Sequence, residues 1–443
     1  MIRKALQFIR RGDNRQVASN VFSLSVLQAA NSILPLITVP YIVRVIGPND
    51  YGIISFAQAF TTYFVLLIMY GFDFTASREI AQNRSDPGKI SEIFWTVIWS
   101  RAFLFFISTA AFLAALFWVP QIRENMSVMV VSYLYVIGTV TFPTWFFQGI
   151  EKLGLRAVFT FIVKVITTAG VFVFLHREDQ YIVVPLLLSV GQVVVGVLSL
   201  VYASQKYVGK VVFPRMAEVW SQLKSGFTLF VSTVFVNFYT VSNTVILAFF
   251  ATKERVGFFA AGSKLTIVLQ SLTISALSQA MFPHIAKMMK ESKDRGIMAL
   301  KKLTVGMVVT MLPISLVTLL FSQLIVRIVF GSQFGPTVVV LRLLSFFPLI
   351  TGLSAVFGIQ GLLNLNLDKS FLRIILIGSV VNFVLNCVLD SSMKELGAAT
   401  SWLITETYIT AAFYIALRKV NVNLFDASLY RQWLFKEVEG REV

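Results

Sequence analysis

The sequence predicts an all-α membrane protein of about twelve transmembrane helices, built as two six-helix bundles related by a pseudo-twofold axis. Three observations carry this: an apolar excess, a one-sided distribution of basic residues, and short motifs that recur at nearly fixed offsets. Hydrophobic residues make up 56% of the 443 and charged residues 14%, against roughly 25% charged in soluble domains. The 41 phenylalanines suit a surface that faces lipid. Most apolar runs extend over about 20 residues without the polar face that a helix in water requires.

Taken in order, spans are expected at 17–43, 51–72, 93–119, 127–149, 157–175, 181–203, 225–250, 257–282, 304–322, 336–363, 371–389 and 398–417. The longer ones need tilt. This divides the chain into a segment 1–16, a first lobe 17–203, a linker 204–224, a second lobe 225–417 and a tail 418–443. The basic start (Arg3, Lys4, Arg10, Arg11, Arg15) runs into a full-length span, so no cleavable signal peptide is expected. Ile2, Leu6 and Ile9 share one helical face, and Phe425, Leu429 and Trp433 recur every four residues. Both flanking pieces suit helices lying in the membrane interface.

Of the 38 Lys and Arg residues, 27 fall on the side of the chain termini, 7 on the other and 4 within spans. By the positive-inside rule both termini are then cytoplasmic, and the protein belongs in a bacterial inner membrane. The same bias accounts for the net charge of +16. The basic loops face anionic lipid head groups, and nucleic acid is not needed as a partner.

Three motifs repeat. Tyr51-Gly52 and Val256-Gly257 open spans two and eight, 205 residues apart. Ile80-Ala81 and Ile285-Ala286 follow those spans, again 205 apart. Gln148-Gly149 and Gln360-Gly361 close spans four and ten, 212 apart. Six intervening spans give both copies the same orientation, a plan in which cargo is handled between lobes that rock against each other. Pro35 and Pro40 in span one, Pro143, Pro313 and Pro348 each remove a backbone hydrogen bond. They either kink the helices as gates or are simply tolerated.

Motifs for other chemistry are missing from the sequence. There is no phosphate-cradling Gly-rich loop followed by Lys and Ser/Thr, so ATP hydrolysis is not the expected energy source. No nucleophile elbow and no His/Cys metal spacing occur, so neither an enzyme nor a cofactor is expected. Gaps between spans of about 21 residues at most leave no room for a catalytic lobe of a glycosyltransferase or polymerase. Cys387, the sole cysteine, reads as a small packed residue.

The chemistry lies in the charges within spans. Arg101, Lys164, Lys264 and Arg342 sit six to eight residues past the start of their spans, roughly 9–12 Å along a helix. A charge in hydrocarbon costs at least ~2.5–3.5 kcal/mol, so such residues face a cavity or snorkel to the interface. Glu406 is too short to snorkel and either pairs with a cation or stays protonated. Four cations against one carboxylate favour an anionic cargo head group, with Arg suited to bidentate phosphate contacts. Asn237, Thr240, Asn243 and Thr244 on span seven, and Asn382 and Asn386 on span eleven, are either sugar contacts or hydrogen bonds between helices.

The segments LPLITVPYIVRVIGPNDYG (Leu34 to Gly52), YGFDFTASREIAQNRSD (Tyr70 to Asp86) and WFFQG (Trp145 to Gly149) with Glu151-Lys152 resemble the O-antigen repeat-unit translocases. These form the polysaccharide-transporter branch of the multidrug/oligosaccharidyl-lipid/polysaccharide flippase superfamily. The resemblance implies a MATE-like flippase fold and an undecaprenyl-diphosphate-linked oligosaccharide as cargo. It implies movement from the cytoplasmic to the periplasmic leaflet, coupled to protons or sodium, with a polysaccharide polymerase and ligase downstream. Glu406 is the residue we assign to ion coupling on this view. Two alternatives within the superfamily stay open: a multidrug or toxin antiporter, which the scarcity of carboxylates disfavours, and a flippase for the peptidoglycan lipid precursor.

Overall fold

A computed structural model describes residues 12–209, 211–270 and 276–425, with side chains from 34 onward apart from 276–280 and 283. Of the segments expected at the two ends, 1–16 and 418–443, only 12–16 and 418–425 are described, and of the apolar residues expected to face the interface only Phe425 is among them. The described chain is helical almost throughout, as backbone in hydrocarbon must be. Nine stretches among the described residues are long and apolar enough to cross a bilayer.

Predicted spans one and two form a single element, α1 (Gly12–Met69), broken only at Gly47, whose φ of 73° favours glycine. Pro48, which has no N–H to place, starts the second arm. The helix stays regular through Pro35 and Pro40, so the break in this hairpin lies at Gly47 rather than at either proline. A short helix α2 (Phe72–Gln82) follows, then α3 (Pro87–Trp118), started by Asp86, whose side chain accepts from the Lys89 amide. Span four divides at Pro143 into α4 (Met126–Thr141) and α5 (Thr144–Gly149). The first half ends with α6 (Leu153–Phe174) and α7 (Val183–Ala203).

The second half starts with α8 (Met216–Phe250) and α9 (Lys253–Gln270). α9 and the last helix are not among the nine candidate spans: the described run of α9 stops at 270, and the last helix carries Ser401, Thr405 and Glu406. Next come α10 (Ala276–Glu291) and α11 (Lys293–Val329). Because α11 starts at 293 and not at 304, Lys301, counted in a loop from the sequence, is a buried helical residue. Span ten is broken into α12 (Thr337–Leu343), α13 (Phe347–Ala355) and a π-helical stretch Val356–Leu362. Pro348 occupies the first turn of α13, where its missing donor costs nothing. The long hairpin α14 (Asp368–Met393) and α15 (Glu395–Lys419) turns on Lys394 alone.

The halves reuse one packing scheme. α2 packs on α5 in the first, and α10 packs on Val356–Leu362 in the second. At the first of these contacts a Cβ on Gly149 would lie 2.7 Å from the Ile80 side chain. Arg84 donates to the Gly149 carbonyl and pairs with Glu151 at 2.8 Å, which holds that carboxyl below its usual range. Both partners are well exposed, so the pair contributes little stability.

The tightest contact between the halves joins α1 to α9. A Cβ on Gly52 would overlap the Lys253 carbonyl oxygen and lie 2.9 Å from the Gly257 nitrogen. A Cβ on Gly257 would overlap the Pro48 carbonyl oxygen and lie 3.2 Å from the Gly52 nitrogen. Each glycine therefore meets the carbonyl four residues before the other, the reciprocity that a local twofold axis imposes. The contact lies at the face opposite the basic loops. There Gln333 donates to the Val43 carbonyl at 3.0 Å and Arg44 donates to the Ile328 carbonyl. The main apolar core runs across this junction, from Ile42 and Ile54 to Val256, Phe330 and Phe334, and a second core fills the basic end of the second half. Outward, Phe106 (72% exposed), Phe117 (72%), Trp118 (80%) and Leu320 (73%) make an apolar exterior that only lipid would cover.

Candidate translocation cavity

Below the Gly52–Gly257 contact the two halves separate around a cavity of about 400 Å³, walled by α1, α6, α7, α8 and α9. Thr38, Gln58, Thr62, Thr167, Thr244 and Lys264 give it polar lining. A cavity of about 450 Å³ adjoins it within the first half, with Thr61, Ser132, Thr160, Lys164 and Gln192 in its wall. Gln58, Thr62, Thr167 and Leu188 line both, so the two are lobes of one space beside α1. Their polarity comes from helical spacing. Thr160, Lys164 and Thr167 are three or four residues apart and share a face of α6.

The electrostatics are one-sided. Lys264 is exposed to this space, Lys164 is half-buried, and each lies within electrostatic reach of the other. Among the described residues neither wall contains an Asp or Glu. Three hydroxyls in the walls, on Thr61, Ser132 and Thr160, are buried without a hydrogen-bond partner. Buried polar groups are rarely left so. The arrangement offers cations, hydroxyls and amides to an anionic, oxygen-rich ligand.

The structure separates the four cations predicted to share this site. Lys164 and Lys264 lie at the cavity; Arg101 and Arg342 do not. Arg101 is 1% exposed and inside the first half. Its Nη1 donates to the Thr139 and Phe142 carbonyls at 3.2 and 2.9 Å. Those carbonyls border the break at Pro143 between α4 and α5. Its Nη2 lies 3.7 Å from Asp73, which in turn accepts from the Thr144 hydroxyl at 2.7 Å. Arg101 thus clamps a helix break and replaces bonds that proline removes. We expect Arg101→Leu to destabilise the protein by about 3 kcal/mol, read as a lowered unfolding midpoint in detergent. Arg101→Lys recovers only part of the loss, because a single ammonium cannot span the carbonyls and Asp73 in fork geometry. Arg342 is exposed and lines neither cavity, with its Nε bonded to Ser322 at 2.9 Å. On its short helix α12, near an end of a broken span, it suits the snorkelling alternative.

The predicted sugar contacts are also relocated. Asn237 bonds back to the Thr233 carbonyl of its own helix. Asn243, Asn382 and Asn386 are at most 1% exposed and bonded to one another: Asn382 and Asn386 donate to Asn243 at 3.1 and 2.8 Å. They join α8 to α14 and are closed to a large ligand. Thr244, one residue on, does line the cavity. Glu406 is 4% exposed, has no ion pair among the described residues, and faces Ser354 and Tyr239. Sequence reasoning missed Gln58, Thr62, Thr160 and Gln192; polar residues at helical spacing on spans two, five and six were the available signal.

Comparison with known proteins places the chain. The family model described as "Polysaccharide biosynthesis protein" matches residues 17–289. A protein of Escherichia coli K12 named for O-antigen transport is 30% identical over 401 residues, covering 90% of this chain and 96% of its own. Among solved structures, the lipid II flippase MurJ in an inward closed conformation superimposes with a TM-score of 0.71 at 14% identity, covering 90% of this chain and 87% of its own. An inward-facing multidrug resistance MATE transporter gives 0.69 at 13%, covering 89% and 97%. These last two likenesses establish the MATE-like all-α membrane fold. With the family match and the relative aligned along nearly its whole length, the chain belongs to the polysaccharide biosynthesis protein family, as a flippase-type membrane transporter and not an enzyme.

Proposed function

We propose that this protein moves an undecaprenyl-diphosphate-linked oligosaccharide repeat unit from the cytoplasmic to the periplasmic leaflet, for O-antigen or a related surface polysaccharide. The observation that carries this reading is the cavity beside α1, which presents Lys164 and Lys264 and, among the described residues, no carboxylate. A diphosphate is the anion those lysines suit, and the hydroxyl- and amide-bearing walls suit sugars. The relative named for O-antigen transport supports the same cargo class.

Two lobes, 17–203 and 225–417, rock about the Gly52–Gly257 contact in this proposal, with 204–224 as the linker. The basic loops face the cytoplasm, as the 27-to-7 bias of Lys and Arg argues. Transport is coupled to a proton or sodium gradient, with Glu406 as one buried carboxylate available to a proton. A polymerase and a ligase use the delivered unit. The test is deletion of the gene in a host with no second flippase. Completed, unpolymerised lipid-linked units then accumulate on the cytoplasmic face and surface polysaccharide is lost, both restored by the wild-type chain. Normal surface polysaccharide without lipid accumulation rejects the reading.

A further inference from the structure

A third cavity, of about 340 Å³, lies at the face opposite the basic loops and shares no wall residue with the two that hold the lysines. Both halves build it. α1 supplies Asn49 and Phe56, the turn between α3 and α4 supplies Gln121, Glu124 and Asn125, and the turn between α8 and α9 supplies Thr252 and Lys253. The local chain frees these side chains for a ligand. Pro120 starts a single helical turn, and Ile122, 1% exposed, anchors that turn in the core. The Glu124 and Asn125 amides are bonded within it, and Asn125 Nδ2 donates to the Gln121 carbonyl at 2.9 Å. The Gln121 side-chain amide and the Glu124 carboxylate form no hydrogen bond among the described residues.

α8 and α9 run past this cavity and the one that holds Lys264. On α8, Val241 and Thr244 line the Lys264 cavity, and Ala248 and Ala251 line the third. On α9, Ala260 and Lys264 line the former, and Lys253 and Val256 the latter. Steps of three or four residues keep each series on one face, so one stripe of each helix passes both spaces. The seven residues from Thr244 to Ala251 span roughly 10 Å. What divides the spaces is the second arm of α1. Tyr51, Ile54 and Gln58 line the Lys264 cavity, whereas Asn49, Gly52 and Phe56 line the third. The same spacing sets these two series on opposite faces of the arm. The arm is a partition held against α9 at the Gly52–Gly257 contact, and parting of that contact joins the two spaces.

We propose that the third cavity is a receiving site for the sugar portion of the cargo, occupied when the halves have parted and the diphosphate still sits at the lysines. The inference rests on the flippase reading and adds where the glycan is held on the exit side. The chemistry differs from that of the lysine cavities. Glu124 and Lys253 carry opposite charges, and with Asn49, Gln121, Asn125 and Thr252 they offer both donors and acceptors. Sugar hydroxyls donate and accept, so they match this set; a diphosphate only accepts. Phe56 and Val256 add an apolar floor for the C–H face of a sugar ring. A cavity of this size falls within the range of small-molecule sites, about 300–1,000 Å³. A sugar held there slows return of the unit before the diphosphate leaves the lysines.

The probe is the repeat-unit oligosaccharide, freed of lipid and diphosphate by mild acid and prepared from the units that accumulate when the gene is deleted. If none accumulates, the flippase reading fails and this site with it. Binding to the purified full chain in nanodiscs is followed by saturation-transfer NMR and calorimetric titration. The wild type should bind the sugar saturably, and inorganic diphosphate should not displace it. Gln121→Ala should weaken binding about 2- to 10-fold, the loss of one neutral hydrogen bond. Gln121→Trp, which fills the cavity from a surface turn, should abolish binding while eluting as a folded protein. Thr252→Trp fills it from the other half and provides the test if Gln121→Trp does not fold. No binding by the wild type, displacement by diphosphate, or wild-type affinity in either folded Trp variant would overturn the site. Each of those three results is obtained with a verified cargo sugar and without transport, so each leaves the flippase reading standing.

Discussion

The double substitution Lys164→Glu with Lys264→Glu abolishes cargo movement while the protein remains folded and inserted. The two side chains are the cations facing a space whose walls otherwise offer hydroxyls, amides and apolar groups. A hydrogen bond from a charged donor contributes about 1.5–3 kcal/mol. Losing two such contacts to a diphosphate removes about 3–6 kcal/mol, or roughly 10²–10⁴-fold in binding. Reversal adds repulsion to that loss. The single changes Lys164→Gln and Lys264→Gln are each expected to slow flipping about tenfold or more on the same argument. Arg342→Gln changes it by less than about twofold, because Arg342 lines neither cavity wall and exposed surface changes usually stay within ±0.5 kcal/mol. The measurement is flipping of a fluorescent lipid-diphosphate oligosaccharide in proteoliposomes, with folding checked by size-exclusion elution. Wild-type rates in the double variant would place the cargo path elsewhere.

That contrast shows what the sequence held and what it did not. Arg101 and Lys164 sit at nearly equal depth in predicted spans three and five, so depth alone gives them the same role. Rotation about the helix axis separates them, and apolar runs that are hydrophobic all round carry no record of rotation. Lys164 has Thr160 and Thr167 on its own face and so looks into a polar space. Arg101 turns toward carbonyls freed beside Pro143, a partner 41 residues away that span reading could not supply. Helix ends were less legible: the end of span eleven is predicted at 389, yet α14 continues to Met393 and buries Asp390. The helix order, by contrast, was legible because a bilayer leaves the backbone few choices. The dipeptide repeats were legible too, because glycine at positions 52 and 257 answers a constraint that no other residue meets.

Gly52→Ala is expected to hold the face opposite the basic loops open and to slow flipping at least tenfold. The added methyl would overlap the Lys253 carbonyl oxygen and come within 2.8 Å of its carbon. Both are backbone atoms, so no rotamer change relieves the contact. Relief requires α1 and α9 to separate, and with them the Gln333 and Arg44 bonds that tie the halves at the same face. Overpacking of this kind costs about 1–3 kcal/mol. Charged only to the closed arrangement, that cost shifts a two-state balance by roughly 5- to 150-fold toward the open one. The readout is a cysteine at Ser263, in the cavity wall, in a Cys387→Ser background. A membrane-impermeant maleimide added at the face proposed to be periplasmic should label it at least several-fold faster in Gly52→Ala than in the parent. Gly257→Ala should do the same, since its methyl meets the Pro48 carbonyl in the reciprocal place. Faster labelling with slower flipping makes the paired glycines a gate that must close in every cycle. Unchanged labelling in both variants would mean that the halves do not part here, and the alternation would have to pivot about some other contact.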